Sequence, residues 1–313
     1  MEILRSIEDL ARIPSPLVLA AGVFDGMHLG HRAVLDAAIK TSQRLDAEPV
    51  VLTFDPHPAT ILRPESTVQL LTPQDLKLRL IGETGIRYTL IVTFDSEFSQ
   101  VEPEEFITRL CKAPSKLAGI CIGEAWRFGK NRKGDPDLLR TLGMKSGFFT
   151  SEIPSVRIGG HTVSSTIIRK ALATGEIETA NLYLGRPFIV SGTVIHGAKL
   201  GAKIGFPTAN ISTDERQYPA DGVYVVQVKA ADRFLYGVAN IGMRPTVTSA
   251  MKRILEVHIF DFEADLYGTE LEVSFLHLLR PEKRFDGIEA LKSRIALDCE
   301  EARQWIQQRR SSE

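Results

Sequence analysis

Cysteine is scarce in this chain: Cys111, Cys121 and Cys299 in 313 residues. Their spacing fits neither a disulfide framework nor a metal knuckle, and an odd, unpatterned count points to reduced thiols in a cytoplasmic setting. Net charge is nearly absent, since 38 lysines and arginines stand against 39 aspartates and glutamates, leaving −1. That balance supplies no broad basic surface for nucleic acid. No apolar run approaches the ~20 residues that span a membrane. Internal repeats and low-complexity stretches are missing, which sets aside solenoids and disordered tails. Met1 to Pro14 is mixed and acidic, so no secretory signal is expected.

What is present is the composition of a globular protein, 43% hydrophobic and 25% charged, at a length that suits two domains. Up to about residue 180, apolar runs alternate with helical patterns. Strands are predicted at Leu17–Ala21, Pro49–Phe54, Tyr88–Thr93, Leu117–Ile122 and Gly147–Thr150. Helices are predicted at His31–Leu45, Pro73–Ile81, Pro103–Cys111, Pro136–Thr141 and Ser165–Ala173. This alternation predicts a doubly wound parallel α/β sheet. Pro187 and a change of pattern put a boundary near 183–187, giving domains 1–183 and 184–313. Beyond it, strands at Phe188–Ile195, Val223–Lys229, Phe234–Ala239, Ile254–Phe260 and Leu271–Leu279 predict a small antiparallel β-barrel, with a turn at Ala230-Ala231-Asp232. One helix follows, with Asp286 as its expected cap and Glu289 at the capping-box position. Its apolar face, Ile288, Leu291, Ile295, Ala302 and Ile306, is expected to pack on the barrel.

The chain is organised around Gly22 to His31, GVFDGMHLGH, between the first predicted strand and helix. His28 and His31 are three apart, hence on one face of the helix start. Backbone N–H groups are unpaired there and the helix dipole favours an anion. Two imidazole donors at that place suit the charge that develops on a phosphate in nucleotidyl transfer. The plain alternative is a tight turn with two surface histidines. Zinc fits less well, because no nearby Cys or His completes a ligand set.

Three further loops fall at strand ends or helix starts, where ligands of doubly wound sheets bind. Thr53-Phe54-Asp55-Pro56-His57-Pro58 is stiffened by its prolines and reads equally as a rigid turn. Gly123-Glu124-Ala125-Trp126-Arg127-Phe128-Gly129 can stack a ring and pair a phosphate, or be an ordinary loop with buried aromatics. Val163-Ser164-Ser165-Thr166-Ile167-Ile168-Arg169 offers hydroxyls that either cap a helix or bind phosphate, with Arg169 one turn in.

In the second half, His196 to Asn210 reads HGAKLGAKIGFPTAN. Gly197, Gly201 and Gly205 make a pliable loop able to wrap phosphates, though no GK[ST] follows as in a Walker loop. Thr208 and Asn210 offer two oxygens two residues apart, the hard ligands magnesium prefers alongside phosphates and water. A flexible loop leading into a strand with a buried Asn explains the same residues.

Both motif sets resemble those of the bacterial bifunctional riboflavin kinase/FAD synthetases. The first half resembles the HIGH-type nucleotidyltransferases through GVFDGMHLGH, TFDPHP and SSTIIR. The second resembles riboflavin kinases through GFPTAN, Gly222-Val223-Tyr224, Asn240 to Thr246 (NIGMRPT), Glu256 to Phe262 (EVHIFDF) and Asp265 to Gly268 (DLYG). The resemblance implies ATP-dependent phosphorylation of riboflavin to FMN with Mg²⁺, then adenylylation of FMN to FAD. It implies nucleotide contacts from Gly22, Phe24, Asp25, Gly26, Gly30, Gly123, Ser164, Ser165, Thr166, Gly197, Gly201 and Gly205. It implies catalysis by His28, His31 and Arg169 at one site and by Glu256, as general base, at the other. Thr208 and Asn210 would hold the metal, and Asp55, Pro56, His57, Pro58, Arg280 and Phe285 would approach flavin. Ala125 and Trp126 stand where the family usually has Asp or Asn and Phe, and Ala202 where it usually has Arg. Two alternatives remain at this point: a kinase with a weakened adenylylating module, and a flavin-binding carrier. Partners are expected to be small molecules, with neither nucleic acid nor membrane, and any self-association weak.

Overall fold

The computed structural model describes the chain except residues 66–67, 113–115, 198–199, 215, 232, 246–250 and 312–313. Asp232 of the expected turn and Thr246 of NIGMRPT therefore lie outside the described residues. The chain divides into two compact units, Met1–Ser165 and Thr166–Glu313.

The first unit is built on a six-stranded sheet. Its strands are β1 (Glu2–Leu4), β2 (Leu17–Ala21), β3 (Glu48–Asp55), β4 (Tyr88–Thr93), β5 (Leu117–Gly123) and β6 (Phe149–Ile153), in the order β1-β4-β3-β2-β5-β6. Every pairing is parallel. Helices α1 (Leu29–Leu45), α2 (Pro58–Leu62), α3 (Gln74–Gly82), α4 (Pro103–Lys112) and α5 (Pro136–Ser146) cover it. All five residues of β2 are buried, as a strand covered on both faces requires. Period-2 alternation divides them: Leu17, Leu19 and Ala21 join the core cluster that includes Phe106 of α4, while Val18 and Ala20 join the one with Val34, Leu35 and Ala38 of α1. The strand order reverses between β2 and β5, so their C-terminal ends flank the crevice where such sheets bind ligands. A two-residue ribbon, β7 (Arg157–Ile158) with β8 (His161–Thr162), leads to the end of the unit.

The second unit holds α6 (Ser165–Ala173) and α7 (Ile177–Leu184), then β9 (Phe188–Ile195), α8 (Leu200–Lys203), β10 (Ala209–Ile211), β11 (Gly222–Ala230), β12 (Arg233–Pro245), β13 (Met251–Ile259), β14 (Glu270–Pro281) and α9 (Ile288–Arg310). Its six strands close an antiparallel barrel in the order β10-β13-β12-β11-β14-β9. Helix α9 buries Cys299, Ala302 and Ile306 against Val223, Val225, Val238 and Phe260. The Arg303 guanidinium lies 4.2 Å over the Phe260 ring and pairs with Asp261 at 2.8 Å. Helix α7 is tied to the barrel, because the Asn181 amide donates to the Phe275 carbonyl and accepts from the Phe188 N–H.

The expected fold class is observed in both halves, with three local corrections. Asp286 does not cap α9; Gly287 is the cap residue, at φ 101° with no side-chain bond. Ile288 is half exposed rather than part of the packed face. Gly147 ends α5 in the left-handed conformation, so the following strand starts at Phe149.

Candidate active sites

The loop Gly22 to His28 leaves β2 at the reversal of strand order and enters α1. Phe24, Gly26 and Met27 all take positive φ, of 57°, 91° and 43°. Two of these are non-glycine residues in a region that costs L-residues roughly 1–2 kcal/mol each. The turn is held by the Gly22 N–H donating to the Leu52 carbonyl, by the Thr53 hydroxyl donating to the Val23 carbonyl and by the Ser165 hydroxyl donating to the Asp25 carbonyl. Phe24 folds back under Gly22, where a Cβ would lie 2.9 Å from its ring, and meets His31 edge-on at 5.3 Å.

His28 is the N-cap of α1, its Nδ1 accepting the His31 N–H at 3.3 Å. The two imidazoles stack with centroids 3.6 Å apart. Burial pushes His28 down to about 4. Burial, then the neighbouring His28 and Lys77, push His31 well below the ordinary histidine value. Both rings are therefore neutral near pH 7, and the cap bond leaves His28 its proton on Nε2. Asp25 is also buried, but its Oδ1 accepts the N–H groups of Leu71 and Thr72 at 2.9 and 3.1 Å. Its carboxylate thus fastens the segment before α3 to the loop.

Beside this loop is a cavity of about 370 Å³, within the range of small-molecule sites. Its walls include Val23, Phe54, Phe98 and Phe106, with Trp126 stacked on Phe128 at 4.5 Å. His57 and Pro58 line it; Asp55 and Pro56 are exposed and do not. His57 caps α2 by accepting the Ala59 N–H. Ala125 lines the cavity with a methyl group only, and Arg127 turns to the carbonyls of Glu124 and Trp126. Gly123 ends β5 beside the crevice. Ser164 and Ser165 are half-buried and Thr166 is exposed. Arg169 is on α6, in the second compact unit.

In the barrel, register alone assembles a polar row. Asn210 of β10 and Asn240 of β12 both pair directly with Glu256 of β13, from opposite sides. Directly opposed residues bring their Cβ atoms to about 4.5–5.5 Å. Thr208 lies two residues before Asn210, on the same face. The glycine loop closes on this pair: a Cβ at Gly197 would lie 2.3 Å from the Asn210 amide, and one at Gly201 would lie 2.4 Å from the Phe206 carbonyl. Gly205 takes φ 92°. Thr208, Asn210, Asn240 and Glu256 line a cavity of about 180 Å³ with Arg280, Phe285 and Asp298. Thr208 also lines a neighbouring cavity of about 330 Å³, with Phe262, Asp265 and Tyr267. Arg280 donates to buried Asp298 through Nε at 2.9 Å and through a second nitrogen at 2.7 Å, and its guanidinium sits 5.4 Å from the Phe285 ring. Asp298 also accepts from Arg294 at 2.8 Å.

Sequence reasoning left Asn240 without a role, although its motif was recognised, and missed Asp298 and Lys77 altogether. Lys77 carried one signal, a cation four residues from buried Ile81 on the core-facing side of α3.

Comparison with known proteins finds a family model for each half of the chain. The FAD synthetase family model matches residues 10–167 and the riboflavin kinase model residues 184–306. The bifunctional riboflavin kinase/FMN adenylyltransferase of Escherichia coli K12 is 38% identical, over 98% of each chain. The protein of the same description from Pseudomonas fluorescens is 36% identical, over 97% of each. A crystal structure described as a macrolide-efflux protein from Streptococcus pneumoniae is 29% identical with TM-score 0.88, covering 97% of this chain and 99% of that one. Among the described residues no helix is long and apolar enough to cross a membrane. With both family models matched in order and bifunctional relatives aligned end to end, the chain belongs to the bifunctional riboflavin kinase/FMN adenylyltransferase family.

Proposed function

We propose that the barrel unit transfers the γ-phosphoryl of ATP to riboflavin, giving FMN and ADP, and that the α/β unit transfers AMP from a second ATP to FMN, giving FAD and pyrophosphate. The observation that carries the second assignment is the stacked, neutral pair of buried His28 and half-buried His31, beside an aromatic cavity of small-molecule size. Neutral N–H donors at a helix start favour charge growing on the α-phosphate without needing reprotonation. Gly22, Gly26, Gly30 and Gly123 let the nucleotide approach, Phe24 supports His31, and Asp25 sets the loop. The flavin ring is assigned to the cavity, against Trp126, His57 and Pro58; Asp55 and Pro56 are retained as flavin contacts on the strength of their motif alone. Ser164, Ser165, Thr166 and Arg169 are retained as phosphate contacts on the strength of their motif.

In the barrel, Glu256 is the base for the terminal ribityl hydroxyl. Riboflavin occupies the cavity bounded by Phe285, and Arg280 holds that wall through Asp298. The nucleotide takes the neighbouring cavity that Thr208 also lines, which places Thr208 between the two substrates; Gly197, Gly201 and Gly205 are assigned to its phosphates on the strength of their motif. The donor set fits Mg²⁺: Thr208 and Asn210 supply hard oxygens beside a carboxylate, and Gly197 carries no Cβ to collide with the Asn210 amide. The metal would neutralise phosphate charge, while the residues align hydroxyl and phosphate. The boundary between the two motif sets is placed at 183/184, downstream of the packing boundary. The scheme needs small molecules only and suits the cytoplasm.

The test is to incubate the chain with riboflavin, ATP and magnesium and to separate the flavins. Wild type should yield FMN and FAD. The double variant His28→Ala, His31→Ala should stop at FMN; a collapse of both activities in a folded protein would defeat the two-site assignment.

A further inference from the structure

Lys77 is 7% exposed, in the first turn of α3. Among the described residues its ammonium makes one hydrogen bond, a long one of 3.4 Å to the Phe54 carbonyl, and no carboxylate pairs with it. Burial pulls its pKa down against the more distant Asp25 and Asp55. Buried cations are ordinarily paired, because an uncompensated one is expensive to desolvate. Its surroundings share the deficit. The hydroxyl of Thr72, 3% exposed, has no hydrogen-bond partner, nor does the buried Gln74 amide nitrogen or His31 Nδ1. Helix α3 has no side-chain cap, so its first N–H groups are also unspent. The Asp25 clamp on Leu71 and Thr72 fixes this helix start to the histidine loop.

We infer that the start of α3, with Thr72, Gln74 and Lys77, is a second anion-binding element of the adenylylation site, and that Lys77 supplies the positive charge the neutral histidines lack by pairing with a substrate phosphate. This deepens the assignment of adenylylation to the α/β unit and rests on it. The phosphate belongs to ATP or to FMN, and the chain's free donors suit either.

The test uses the full chain carrying Lys77→Met, which keeps length and removes charge. FAD formation from FMN and ATP should fall by about 10- to 150-fold, the span of charged hydrogen bonds. FMN formation from riboflavin should be unchanged. A rise in KM confined to ATP identifies the nucleotide phosphate, and one confined to FMN identifies the flavin phosphate. Without substrates the variant should unfold at the same or a higher temperature, since an unpaired buried charge has gone. Adenylylation within twofold of wild type, or a clear loss of unliganded stability, overturns the inference. Should Lys77→Met fail to fold, Thr72→Val serves instead, with an expected loss of about 2- to 10-fold in the same reaction; an unaltered rate there likewise overturns it. The double histidine variant separates the levels. If it abolishes FAD formation while Lys77→Met does not, only the role of Lys77 falls; if it leaves FAD formation intact, the site beneath falls too.

Discussion

His28 makes the stability of the α/β unit depend on acid in a calculable way. Its imidazole is 5% exposed, and burial brings its pKa down to about 4 from an ordinary 6.5. The unfolded chain therefore takes up a proton between pH 6.5 and 4 that the folded chain refuses. Stability from the neutral ring is complete above pH 6.5, declines as pH falls, and stops declining below about 4. At roughly 1.4 kcal/mol per pKa unit the full effect is about 3 kcal/mol, and between pH 7 and pH 5 it is about 2 kcal/mol. The comparison is with His28→Asn, because Asn also accepts an N–H at a helix N-cap and preserves the start of α1. Urea unfolding at pH 7 and pH 5, in a Trp305→Phe background so that Trp126 reports this unit, gives the two free-energy differences. Wild type should lose about 2 kcal/mol more than His28→Asn on acidification, His31 contributing to both. An equal loss in the two proteins would refute the buried neutral histidine. By the same reasoning, protonation of His28 should not slow adenylylation at pH 6.5.

Three other outcomes are expected. Glu256→Gln should lower FMN formation by roughly 10²- to 10⁴-fold and leave FAD formation from supplied FMN unchanged, as steady-state rates of the two half-reactions will show. Gly197→Ala puts a methyl group 2.3 Å from the Asn210 amide, so FMN formation should fall and need more magnesium for half-maximal rate, with adenylylation intact. Ala125→Asn restores a hydrogen-bonding group to the cavity wall and should raise FAD formation by up to about tenfold; an unchanged or lower rate would mean that Trp126 and Phe128 have rebuilt the wall.

Periodicity and punctuation carried most of the fold. Tyr88–Thr93 and Phe188–Ile195 appear at the expected residues, because short segments rich in β-branched and aromatic residues favour strands. The errors were local and conformational. Asp286 is a good cap by type, yet Gly287 takes φ 101° and caps the helix one residue later. Helix α7 is bound into the barrel through Asn181, which bonds to β9 and β14, contacts between residues as much as 94 positions apart. No local pattern announces such a pairing. The polar row of Asn210, Glu256 and Asn240 was hidden for the same reason: it exists only through the register of three strands.

Motif membership and availability to a ligand turn out to be different properties. Asp25 sits in a family motif and Arg280 among the residues the resemblance brings to flavin, yet their side chains are committed within the chain, to Leu71 and Thr72 and to Asp298. Removing either would disturb a site by moving its walls. Lys77 and Thr72 sit in no motif that the sequence offered, yet they are buried with hydrogen-bonding capacity unspent. A folded chain seldom tolerates that deficit without a compensating partner. The count of unspent donors therefore points to substrate where residue identity does not. It also ties the two halves of the adenylylation site together: Asp25 spends its carboxylate on the segment that delivers Lys77, so the motif's acidic residue acts on phosphate through the cation it positions.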